Sequence, residues 1–378
     1  MAENTRTVRA FDYKTVLLTF GCVAVFCFFG TVMGVSNFCS TVMETAHDLL
    51  INTVLLIVSI SVLAGGFGAF LSEFGILAML NWILAPFIRL LWGLPGAAVM
   101  GAVSTYMSDN PAVIALANDK EFIRYFKKYQ KPALTNFGTS FGMGLVLTAF
   151  MMSKGFFREA IIGNVGAVVG SIVSTRIMLA FCKHEFNGNG YHIESDGDPA
   201  ILRYRQIREG GVLQRAMEAV LEGGKEGLKM GAQIVPGVLV VCTLVLMLTF
   251  DAGHNGYDGS AYQGIPVLSK IGALFAKPMQ LLFGFESPDA IAFPLTSLGA
   301  AGAALSLIPR MLAENLIGPN EIAVFTAMGM CWSGYLSTHV AMMDALGYRK
   351  LTLKAILSHT IGGITAGVAA HYIFVLLG

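Results

Sequence analysis

Residues 105–120 read TYMSDNPAVIALANDK. The sequence before them is apolar, yet Ser108, Asp109, Asn110 and Pro111 follow one another without a break. An acid near a bilayer centre costs roughly 2.5–3.5 kcal/mol on insertion scales, and proline cannot sit inside a regular helix without removing a hydrogen bond. The apolar pieces on either side of the break are each too short to cross about 30 Å of hydrocarbon at about 1.5 Å per residue. Residues 95–117 therefore read as a re-entrant hairpin that enters at Pro95, turns at SDNP and leaves on the same side. Residues 288–308 repeat the pattern, entering at Pro288 and turning at GAAGAA. Irregular backbone at membrane depth is tolerated only where it is buried in protein or lines a cavity.

The rest of the chain supplies the membrane. Of its 378 residues 55% are hydrophobic and only 13% charged, with mean hydropathy +0.66; soluble domains carry about 25% charged residues. Spans are expected at 15–34, 50–70, 133–152, 159–182, 234–250, 322–343 and 355–377, making about seven transmembrane helices in an all-α polytopic protein. Residues 15–34 are long for a signal peptide and no A-x-A site follows, so they read as an uncleaved span. The formal net charge of +1 predicts no nucleic-acid partner. The six cysteines are scattered without a C-x-x-C pair, which excludes a disulfide framework and a zinc site. No P-loop, nucleophile elbow or H-E-x-x-H is present, so no enzyme and no cofactor are expected.

Charge orients the spans. Lys and Arg concentrate in the N-terminus, in 118–131, in 183–215 and in 344–354; the loops 35–49 and 251–263 have neither. With the N-terminus cytoplasmic, every basic loop falls inside if both hairpins are re-entrant, the first opening inward and the second outward. The C-terminus then lies outside. Lys154 and Arg158 in a short outer turn are the exception.

The two halves also resemble each other. LSEFG (71–75) precedes IRLLWGLPGAA (88–98), as LSKIG (268–272) precedes MQLLFGFESPDA (279–290). Each half reads as span, amphipathic segment, hairpin, span, span, in opposite orientations. This divides the chain into 1–49 (N-terminal segment and first span), 50–182 (first repeat), 183–232 (cytoplasmic loop and an amphipathic helix, 212–233, on the inner surface) and 233–378 (second, inverted repeat). Inverted repeats with broken helices are common among secondary transporters, which bind solute where the breaks meet.

Three stretches carry a family resemblance. EGGKEGLKMGAQIVPGVLVVCTLVLMLT (222–249), YMSDNPAV (106–113) and KPALTNFGTSFGMGLV (131–146) resemble, over about residues 50–378, the nucleoside-recognition or Gate-domain membrane proteins and, more distantly, the concentrative nucleoside transporters. The resemblance implies two re-entrant hairpins, a plasma (bacterial inner) membrane location and a homo-oligomer, often a trimer. Aligned on Pro111, Asp109 takes the place of the family's hairpin acid and Ser108 that of its threonine, but Met107 replaces a glutamine that helps read the base. PLTSLGAAGAALSL (294–307) lacks the family's Asn-Glu pair, and Trp332 stands at an asparagine position. The resemblance thus implies the architecture more than the nucleoside.

The candidate solute-binding residues are Ser108, Asp109 and Asn110 at the first tip, Asn136, Thr139 and Ser140 on one span, and Ser333, Ser337, Thr338 and His339 on another. A histidine inside a span marks a functional position by default, whereas Asp109 has the rival role of capping helix 110–117. His359 and His371 read as packing or interface residues; Glu73, Lys270, Glu286 and Asp289 as interfacial anchors; Arg176 as snorkelling. The expected activity is secondary transport of a small polar solute, nucleoside-like solutes included, coupled to sodium or protons by alternating access. The rival is a non-transporting Gate protein with a structural or regulatory role. The expected partners are the solute, the bilayer and further copies of the chain.

Overall fold

A computed structural model of the protein describes residues 11–186, 204–252, 256–333 and 335–378. Among them every regular element is helical, as a chain must be if its backbone groups are to be satisfied within lipid. The first helix, α1 (Tyr13–Met33), stops at Gly34, whose φ of 82° a residue with a side chain adopts only at a cost. Phe38 stacks back on Phe29 across this corner, with ring centroids 5.5 Å apart.

The next helix, α2 (Val35–Glu73), is 39 residues long, about 58 Å at about 1.5 Å per residue. Residues 35–49 are thus not a loop. Their polar side chains made them read as one, but those side chains face protein: Asn37 Nδ2 donates to the Tyr257 carbonyl (2.7 Å), the Tyr262 amide to Thr45 Oγ1 (2.8 Å), and the Tyr262 hydroxyl to Asp48. The segments 35–49 and 251–263, both read as outer loops, therefore meet at one end of the molecule.

After α2 the order of elements runs twice. Helix α3 (Ile76–Trp92) bends by 112° into the first hairpin arm, α4 (Gly96–Met107), which returns as α5 (Pro111–Asn118). A broken span follows, α6 (Ala133–Thr139) and α7 (Gly144–Ser153), then a long helix, α8 (Phe157–Glu185). The second half opens with α9 (Val212–Thr249), 38 residues. Two short helices, α10 (Val267–Leu274) and α11 (Ala276–Phe283), lead to a second hairpin. Its arms are α12 (Ala292–Gly299), entered by the turn Pro288–Ile291, and α13 (Ala301–Ala313). Again a broken span, α14 (Pro319–Cys331) and α15 (Tyr335–Ala345), precedes a long helix, α16 (Arg349–Leu377).

The correspondence reaches single residues. Both Leu-Leu-aromatic-Gly motifs end a helix on a left-handed glycine, Gly93 (φ 75°) and Gly284 (φ 68°). Both long opening helices widen into one π-helical stretch, Leu49–Val54 in α2 and Gly237–Cys242 in α9.

Each opening helix packs antiparallel against its counterpart, as inverted-topology repeats require. Gly231, Gly227 and Gly223 of α9 lie against Val58, Ser61 and Gly65 of α2. In the same way Gly166, Gly170 and Ser174 of α8 lie against Ala370, Ala366 and Gly362 of α16. In lipid such contacts rest on close backbone approach, not on a hydrophobic driving force. Residues 212–233 form the expected helix and run without a break into the next one, the span 234–250. They are held along α2 by a glycine face.

Six of the seven expected spans appear as long apolar helices at about their expected places, 133–152 among them with a break inside it, and 322–343 is divided in two. Met143 (φ 53°) breaks the first of these, and the turn at Trp332 divides the second. Hydropathy does not sense such breaks. Among the described residues, parts of three basic segments meet: Lys128 lies over the Phe186 ring, Phe186 packs on Tyr348, and Lys354 Nζ meets Glu185 at 2.7 Å. Glu73, buried, takes Arg208 and Arg215 at 2.7 Å each. This is a multi-pass membrane protein.

Candidate functional site

The first hairpin tip ends between the two broken spans. Helix α4 stops at Ser108, whose hydroxyl donates to the Ser104 carbonyl (2.7 Å). Asn110, 2% exposed, donates from Nδ2 to the Ser333 carbonyl at 2.5 Å. Ser333 Oγ in turn donates to Asp109 Oδ1 at 3.4 Å. Gly142, in the break between α6 and α7, closes the junction: a Cβ there would sit 2.7 Å from both Asn110 Oδ1 and Ser333 Cβ. A hairpin tip and both helix breaks therefore share one point, where broken helices leave backbone groups without helical partners.

Two details bear on what the junction does. Asp109 does not cap the following helix; its carboxylate faces Ser333 across the junction, and no side chain caps α5. The Asn110 Oδ1 is buried and has no hydrogen-bond partner. A buried polar atom left unpaired costs about 1–3 kcal/mol, so this acceptor is poised for a donor that none of the described residues supplies.

A second cluster lies beneath it. Asn136 Nδ2 donates to Ser174 Oγ (3.0 Å) and to the Ala355 carbonyl (2.9 Å). Ser174 Oγ lies 3.1 Å from His359 Nδ1, and His359 Nε2 donates to the Cys331 carbonyl. In the neutral ring, Nε2 donating to Cys331 leaves Nδ1 as the acceptor of the Ser174 hydroxyl. Thr139 Oγ1 is 3.4 Å from His359 Nε2 and bonds the Thr135 carbonyl at 2.7 Å. His339 packs on His359, centroids 4.5 Å apart, with Nδ1 donating to the Tyr335 carbonyl at 2.5 Å and Nε2 unpaired.

Of the expected residues, Asp109, Asn110 and Ser333 meet directly, with Ser108 at their edge. Asn136, Thr139 and His339 belong to the histidine cluster. Ser140 bonds its own helix at the Asn136 carbonyl (2.7 Å). Thr338 is buried, but Ser337 faces outward. His359, expected to pack, is fully buried against Tyr335 and His339 and also bonds across the cluster to Ser174 and Cys331. His371, half-buried, bonds Asn320 Oδ1 (2.8 Å). Sequence reading missed His359, Ser174 and Gly142. The rule that singled out His339, a histidine within a span, applied equally to His359.

A cavity of about 650 Å³ borders the junction. Its walls come from α3 (Leu80, Leu84, Phe87), α4 (Val103, Tyr106, Met107), Phe141 and Met330. The second tip is different in kind. It is built from Gly299, Ala300 and Ala301, and Gly302 packs toward Ile234 and Met143.

No protein-family model and no curated protein matches the chain. Solved structures do. CNTnw, a concentrative nucleoside transporter, in an inward-facing substrate-bound state superposes with TM-score 0.57 at 16% identity, over 97% of this chain and 84% of that one. Variants of it in an outward-facing state (TM-score 0.55, 14% identity, 96% and 84% covered) and in an intermediate state (0.53, 15%, 95% and 84%) are similar too. The chain has the CNTnw fold. The two re-entrant hairpins and two inverted repeats expected from the sequence are the architecture the chain adopts.

Proposed function

We propose that the protein is a secondary transporter that carries a small polar solute by alternating access. One observation carries the reading: an acid, an amide with an unpaired acceptor and a serine meet where a re-entrant tip touches both broken spans. Such groups are expensive in a membrane unless a ligand or water completes them. The CNTnw structures, recorded in outward, intermediate and inward states, support it by fold alone. Nucleoside-like solutes and coupling to sodium or protons belong to the same proposal. So do a bacterial inner-membrane location and a cytoplasmic N-terminus, which the alternation of basic and charge-free segments along the sequence supports. The exposed apolar face of α1, with Leu17, Leu18 and Phe20, suits lipid or a further copy of the chain.

The test is Asp109→Asn, which keeps size and removes charge. In reconstituted vesicles the variant is expected to fold and express normally while solute uptake falls at least about tenfold, the loss of one charge-assisted hydrogen bond. Unchanged uptake with lowered thermal stability would make Asp109 structural. A non-transporting role has one observation in its favour, the wholly apolar second tip.

A further inference from the structure

We infer that the site takes an amphipathic amine, its ammonium head at Asp109 and Asn110 and its apolar body in the cavity bordered by α3, α4 and α8. This deepens the proposed transport reading and rests on it for the placement of the polar site. Three observations lead to it.

The cavity lies beside the junction. All three elements that meet there also line it close by: Tyr106 and Met107 before Asp109, Phe141 next to Gly142, and Met330 before Ser333. On α4 the lining residues Val99, Ala102, Val103, Tyr106 and Met107 recur at helical spacing up to the break at Ser108.

The cavity is also apolar throughout. Its few polar groups are spent on neighbours: Trp92 Nε1 donates to Ser171 Oγ (2.8 Å), Asn164 Nδ2 to Thr148 Oγ1 (2.8 Å), and the Tyr106 hydroxyl lies 3.3 Å from the same Thr148. A volume of about 650 Å³ falls within the range of small-molecule sites. Its outer wall carries side chains open to the bilayer, Leu84 and Phe87 of α3 and Val165 of α8. A wholly polar solute gains nothing from such walls, whereas each buried methylene contributes about 0.8 kcal/mol.

The head is set by charge. Among the described residues no cation pairs with Asp109, and the adjacent Asn110 Oδ1 accepts nothing. A carboxylate beside a free acceptor calls for a positively charged donor, and an ammonium supplies three N–H groups.

The test measures binding, not flux. The protein in nanodiscs of neutral lipid is titrated with octylamine, with octanol, octanoate and methylamine as controls, and thermal unfolding is followed. Octylamine is expected to stabilise at concentrations at least about tenfold below octanol, and octanoate and methylamine to have no effect. Asp109→Asn should erase the preference of amine over alcohol. Leu84→Trp, which fills the cavity from its outer wall, should weaken octylamine while leaving the fold intact; Val103→Phe serves if it does not. Equal responses to the three head groups overturn the assignment of the head, and equal responses to methylamine and octylamine overturn that of the cavity. Octylamine binding without uptake in vesicles would sink the transport reading alone. Uptake that needs Asp109 without octylamine binding would sink this inference alone.

Discussion

At Gly142 a missing side chain does more than most side chains present. Its hydrogen stands where a methyl would press on Asn110 Oδ1 and on Ser333 at once. Gly142→Ala is expected to destabilise the protein by about 1–3 kcal/mol, the usual cost of overpacking. It should also weaken ligand binding, because the tip and the second break can no longer close on each other. Thermal unfolding with and without ligand checks both; a variant as stable and as responsive as the parent would show that the junction is loose. The polar members of the site were legible for an energetic reason: Asp109, Asn110 and Ser333 interrupt apolar sequence, and such interruptions cost too much to be idle. Gly142 was not, since close approach is a property of the neighbours. His359 lies on α16, where small residues face α8, and its meaning depends on Ser174 and Cys331 from two other helices.

Among elements, the glycine seam between α2 and α9 divides neighbours sharply. A Cβ on Gly227 would meet the Ser61 carbonyl oxygen at 2.1 Å, a backbone atom that cannot turn away. On Gly224, one turn earlier, it would reach Val62 Cγ1 at 3.5 Å, an ordinary contact. Gly227→Ala should therefore destabilise by about 1–3 kcal/mol or more, whereas Gly224→Ala should be neutral or stabilising by up to about 1 kcal/mol through helix propensity. Denaturation of the two variants side by side decides it; equal effects would refute the seam. The hairpins could be read from entry prolines and polar or small tips, because proline and glycine act locally. The packing of 212–233 along α2 could not be, because charges on one face suggested a surface helix and the glycines of the other gave no apolar signal. The breaks at Met143 and Trp332 were hidden likewise, since hydropathy averages over a turn.

Across the whole molecule, the two pairs α2–α9 and α8–α16 join first half to second. Neither half covers its own glycine faces; each is completed only by the other. The protein thus amounts to a tethered heterodimer whose two partners are joined by the connection from Phe186 to Tyr204. Severing the chain within that connection should leave two fragments that assemble when made together in one membrane. Their complex should co-purify and respond to ligand as the intact chain does, while either fragment made alone should be unstable. Two fragments that never co-purify would mean that covalent continuity, not the seams, keeps the halves together. If they do assemble, the fold needs only the meeting of two independently inserted halves, the state from which a duplicated and fused ancestor would start.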